Sequence, residues 1–97
     1  MTALPLPEAV RNIRFREVAA ALRDLEPGPY PVRDLYWRYI EACRAAGYAG
    51  GYVNAFGQAL TMLGVPAKEY EPELGEVARR IDPAALAARF PHLPWSG

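Results

Sequence analysis

The chain has 97 residues, enough for one domain with a modest core of its own. Eleven Lys and Arg balance eleven Asp and Glu, so no overall field draws it toward nucleic acid or anionic lipid; avid non-specific DNA binding is disfavoured, while a local basic face is still allowed. The one cysteine, Cys43, excludes an internal disulfide and fits a reducing compartment, and the proline-rich start MTALPLPEAVRNIRF has too short an apolar run for a signal peptide, so a cytoplasmic location is expected.

Taken in chain order, Pro7 to Arg14 reads as a short separate turn of helix, and residues 1–13 as an N-terminal extension. The first full helix is marked by Phe15, Val18, Leu22 and Leu25 on one stripe and is stopped by Pro27-Gly28-Pro29. Tyr30-Pro31 is extended by the same proline rule. A second helix is expected from about Val32 to Ala46, with Leu35, Tyr39, Ala42 and Ala46 inward, widened by Val32, Tyr36 and Cys43. Arg33, Trp37, Glu41 and Arg44 fall on its opposite side, and Gly47 ends it.

A third helix is expected from about Gly51 to Leu63, closing at Gly64. It lies inside a stretch without any charge, from Ala45 to Ala67. That stretch is long enough to span a bilayer, but its glycines, Pro66, Asn54, Gln58 and Thr61 make it a poor hydrocarbon segment. Two stripes account for it better. Val53, Phe56, Leu60 and Leu63 form a core face, while Asn54, Gln58 and Thr61 form a neutral face able to hydrogen bond.

The segment EPELGEVARRI is ambiguous. Local signals favour a helix led by Pro72, with Leu74, Val77, Ala78 and Ile81 in register. The alternative is a hairpin, AKEYE up, PELG as the turn and EVARRI down, with Val77 and Ile81 on one face. Asp82-Pro83 then caps and starts a short helix through about Phe90, and residues 91–97 are expected to be a loosely held, flexible tail.

Nothing in the chain spells catalysis. The lone His92 stands between prolines with no cysteine or carboxylate cluster near it in sequence, no set of zinc-ligand spacings occurs, and GYAGGYVNAFG lacks the Lys-Ser/Thr ending of a phosphate loop. The expectation is a non-enzyme without cofactor or metal. The Asn54/Gln58/Thr61 stripe is more specific: Asn and Gln pair bidentately with adenine in the major groove, and Thr bonds a base edge or meets a thymine methyl. Arg33, Arg44, Arg11 and Arg14 are the candidate phosphate contacts, with Arg79 and Arg80 as a further basic pair. Trp37, off its helix's apolar stripe, and Met62, beside the polar stripe, are candidates for contact with a protein partner. Glu69, Glu71, Glu73 and Glu76 make the hairpin acidic, and an acidic hairpin is expected to stay clear of phosphates.

The residues VRDLYWRYIEACRAAG…YVNAFGQALTMLGV resemble the winged helix-turn-helix DNA-binding domain at the C-terminal end of phage and viral primase-helicases, and more distantly the RFX-type winged helix. Leu35, Tyr36, Tyr39 and Cys43 match the first half of that pattern, and Phe56, Gly57, Leu60, Leu63 and Gly64 the second. The likeness spans about residues 17 to 81. It implies a mostly α (α+β) domain of three core helices with a hairpin wing over residues 67–81 and a short C-terminal helix. It also implies double-stranded DNA as partner, in transcription regulation or replication initiation for a phage, plasmid or other mobile element. A homodimer or a second protein is the expected source of added affinity. The same fold used as a protein-interaction module for a replication or transcription protein is the alternative, and a purely helical adaptor a third.

Overall fold

In a computed structural model of the chain, which describes residues 12–95, the elements run α1 (Phe15–Leu22), β1 (Gly28–Pro31), α2 (Val32–Ala46), α3 (Val53–Met62), β2 (Glu69–Glu71), β3 (Glu76–Ile81) and α4 (Pro83–Arg89). The three strands form one antiparallel sheet in the order β1-β3-β2. The described residues form a small α+β domain of four helices and a three-stranded sheet. The short helix expected over residues 7–14 falls mostly outside the described residues, and α1 begins only after Arg14, whose carbonyl accepts the first turn's N–H groups from Glu17 and Val18 at 3.0 Å each.

Helix α2 follows the expected boundaries. Its buried seam is Leu35, Tyr39 and Cys43, an i, i+4, i+8 row. Ala46, expected inside, is exposed, because it lies on the final turn where Gly47 (φ 85°) turns the chain away in the left-handed conformation. Two tyrosines of this helix then pin the turn that follows. Tyr36 Oη donates to Gly51 O at 2.6 Å, and Tyr39 Oη donates to Gly50 O at 2.7 Å while accepting from Arg14 N at 2.9 Å. Gly50 sits so close to α2 that a Cβ there would collide with Ile40 Cδ1. Burial pushes the Tyr39 phenol and the Cys43 thiol up from their ordinary ionisation ranges, so both are held neutral.

Helix α3 buries Ala55, Phe56, Ala59 and Leu60, and Leu63 just beyond its end is buried as well. Val53, expected in this stripe, is 44 % exposed. At ~100° per residue it lies roughly 90° from the centre of the buried arc, level with Gly57 and facing the sheet side rather than α2. Ala55 lies inside the buried arc. The ring of Phe56 stacks on Tyr39 with centroids 5.0 Å apart and tilts against Tyr36 at 5.7 Å.

Residues 69–81 form the hairpin, not the helix favoured by local signals. Gly75 (φ 70°) lies in the turn, and the strands gain a second partner that no local signal provides: β1 pairs with β3 along its whole length, from Gly28 opposite Ile81 to Pro31 opposite Ala78. Pairing on both edges of β3 satisfies backbone groups that an isolated segment would leave to water. Of the two residues expected on one face, Ile81 is buried and Val77, nearer the turn, is exposed. Asp82 caps α4 as expected, its side chain accepting from Ala85 N at 3.3 Å. In the segment expected as a loose tail, Trp95 is buried in the main core and donates its Nε1–H to Phe90 O at 2.8 Å.

Candidate functional site

The outer face of α3 carries Asn54, Gln58 and Thr61, all exposed, as the spacing of the sequence requires. Beside it runs a cleft of about 240 Å³, walled by Val32, Val53, Asn54, Gly57, Gln58 and Thr61 on the helical side and by Lys68 and Arg79 on the hairpin side. Gly57 keeps the middle of this wall free of side chain.

Arg79 is the residue that sequence reasoning placed wrongly. Expected with Arg80 as a surface cation, it is only 8 % exposed. Strand alternation explains this: Val77, Arg79 and Ile81 share the face turned toward the helices, and Ile81 is core. Its Nη2 donates to Gly57 O at 3.2 Å and Thr61 Oγ1 at 3.1 Å, and its Nη1 to Val65 O at 3.4 Å and Pro66 O at 3.3 Å. The guanidinium thus fastens α3, and the loop leaving it, to the sheet. Burial lowers its pKa from the ordinary arginine value. Thr61 is drawn into the same network, since its hydroxyl accepts from Arg79 and donates to Gly57 O at 3.2 Å. Its single donor is therefore engaged, whereas the amides of Asn54 and Gln58 have no protein partner among the described residues. The signal for Arg79 was present in the alternation Val77-x-Arg79-x-Ile81, but it has meaning only once the segment is a strand.

The same alternation sorts the hairpin's charges. Glu69 lies opposite Ala78 and Glu71 opposite Glu76, so these acids share the sheet face turned away from α3. That face has its own hollow, lined by Glu69, Glu71, Ala78 and Arg80, where Arg80 pairs with Glu71 at 3.5 Å. Tyr70 lies opposite Val77 on the α3 side. The acidic character of the hairpin is thus confined to its turn and its far face.

The other candidate cations are distributed unevenly. Arg33 is held by Glu76 at 3.0 Å. Arg14 pairs with Glu17 at 3.7 Å and lies over the Tyr48 ring at 3.6 Å from its centroid. Arg44 is exposed on α2 and makes no ion pair among the described residues, as do Arg16, Arg38 and Lys68. Arg11 lies outside the described residues. Trp37 is 56 % exposed on the outer side of α2, and Met62 is exposed at the end of α3.

Among the described residues no group of three or more His, Cys, Asp and Glu could hold a metal ion, and no helix is long and apolar enough to cross a membrane. No protein-family model, no curated protein and no solved structure gives a significant match to this chain.

Proposed function

We propose that the chain is a winged helix-turn-helix domain that binds double-stranded DNA, with α3 in the major groove and Asn54 and Gln58 facing the bases. The observation that carries this reading is the placement of α3: its inner side is fully used by the core, and its outer side presents two unengaged side-chain amides next to a hairpin. The element order, with β1 entering the sheet beside the hairpin, fits the same architecture. Arg44, Arg38, Arg16 and Lys68 are the cations available for phosphates, with Arg33 and Arg14 recruited only by exchanging Glu76 and Glu17. So few contacts give weak binding by one domain, so a homodimer or a second protein supplies the rest. Such a protein acts in the cytoplasm, in transcription regulation or replication initiation of a phage, plasmid or mobile element.

Fluorescence anisotropy with labelled duplex tests this. With two to four phosphates neutralised, log affinity falls against log salt with a slope of about −2 to −4. On a selected site, Asn54→Ala and Gln58→Ala each weaken binding by about 1–3 kcal/mol and leave binding to random duplex nearly unchanged. Absence of binding at low salt with concentrated protein removes the proposal. In that event the second reading takes over, a protein-interaction module docking through Trp37 and Met62, for which the exposure of the Trp37 indole is the supporting observation.

A further inference from the structure

Arg79 is a buried cation without a buried anion. All four of its hydrogen-bond acceptors are neutral, three backbone carbonyls and one hydroxyl. Its Nε is buried and has no partner, and no carboxylate pairs with it among the described residues. Buried charges are ordinarily paired, because an uncompensated one loses its hydration without recovering it. The carbonyl dipoles of Gly57, Val65 and Pro66 offset part of the charge but not a whole unit of it. The positive field that is left emerges into the cleft Arg79 lines.

The rest of that cleft is suited to an anion. Lys68 adds a second cation on the hairpin wall, and Asn54 and Gln58 add neutral N–H donors on the α3 wall. Glu69 and Glu71 are on the opposite sheet face, so among the described residues no carboxylate lines the cleft. With donors on both of its walls, the cleft suits a tetrahedral oxyanion, which accepts in several directions, better than a planar one.

We propose that the cleft between α3 and the hairpin is a binding site for a phosphate group, contacted by Lys68 over the positive field of Arg79, with the side-chain amides of α3 at its edge. The site does not depend on base reading. A duplex backbone phosphate and a free phosphate ion present the same chemistry, and the experiment below separates them.

The test is a ¹⁵N-labelled full chain titrated with inorganic phosphate at constant ionic strength, chloride being the balancing ion. The Asn54 and Gln58 side-chain amides and the Gly57 and Lys68 backbone signals should shift together and saturate. Lys68→Gln, at an exposed position, should keep the fold and weaken phosphate binding by about tenfold or more, as loss of a charge-assisted contact does. Arg80→Gln, which removes an exposed cation of the other sheet face, should leave it unchanged. A duplex oligonucleotide that displaces phosphate from these signals identifies the backbone as the source, and one that does not identifies free phosphate; either outcome supports the site. Shifts that fail to saturate through the millimolar range, an equal loss in Arg80→Gln, or the same shifts from a glutamate-rich peptide would overturn it. Failure of duplex binding alone leaves the phosphate titration standing, so the two proposals fail separately.

Discussion

The two sides of α3 are fastened by opposite means. Toward α2 the contact is apolar and aromatic: Phe56 stacks on Tyr39 and leans on Tyr36, with Leu60 and Leu63 continuing the row. Toward the sheet the contact is polar and depends on one guanidinium, which reaches Gly57, Thr61, Val65 and Pro66 at once. The difference explains why the outer face of α3 is uncharged without being inert. The charge that would ordinarily sit on a helix surface lies beneath this one, on β3, and the helix shows it only neutral groups.

The aromatic side of α3 should respond most strongly to mutation. Phe56→Ala should cost about 3–5 kcal/mol through lost burial and the cavity left behind. Against a total of about 5–15 kcal/mol, the melting temperature should fall by roughly ten degrees or more. A thermal melt that matches the parent would mean that the Phe56–Tyr39 stack is not the centre of the core.

The polar side should respond less, and differently. Arg79→Met keeps the buried stem but removes every donor, so loss of the charged hydrogen bonds should cost roughly 2–3 kcal/mol. Arg79→Lys should restore only part of it, because an ammonium cannot serve four acceptors spread around a planar fork. Urea denaturation of the two variants decides the matter. If Arg79→Met is as stable as the parent, apolar replacement suffices and the guanidinium is kept for something other than anchoring α3.

The smallest expected effect concerns Tyr39, which joins the aromatic seam to the turn at Gly50. Tyr39→Phe loses both hydrogen bonds of the hydroxyl and should cost about 1–2 kcal/mol near neutral pH. The phenol also imposes a pH dependence. Its folded ionisation lies well above the ordinary 10.0, so the unfolded chain gives up the proton first, and stability should fall as pH rises above that value. Cys43, raised from 9.0 by burial, adds a fall of the same sign beginning slightly lower. Denaturation midpoints measured from pH 8 upward should therefore drop more gently in Tyr39→Phe than in the parent. Equal slopes would assign the alkaline loss to other groups.

Much of this architecture was legible in the residues. The i, i+4, i+8 row Leu35–Tyr39–Cys43, the row Phe56–Leu60–Leu63 and the Asp82 cap of α4 are local patterns, set by the period of the helix and the chemistry of its ends. The outward placement of Asn54 and Gln58 follows from the same period. Where the local reading failed, two local solutions competed or a partner lay far along the chain. EPELGEVARRI satisfies both a helical and an alternating pattern, and only β1, arriving along the opposite edge of β3, makes the strand the better one.

Side-chain period and capping, which act over a few residues, suffice for the helices, most of their buried positions and the neutral character of the α3 surface, while Ala46 and Val53 depart from the simple stripe. The tertiary structure decided the rest: the sheet, the separation of the hairpin's acids from its cations, and the position of Arg79, which meets Gly57 from 22 residues away. Whether a charged side chain is a surface contact or a buried anchor depends on which acceptors the fold brings to it. Those acceptors, backbone carbonyls above all, carry no mark in the sequence.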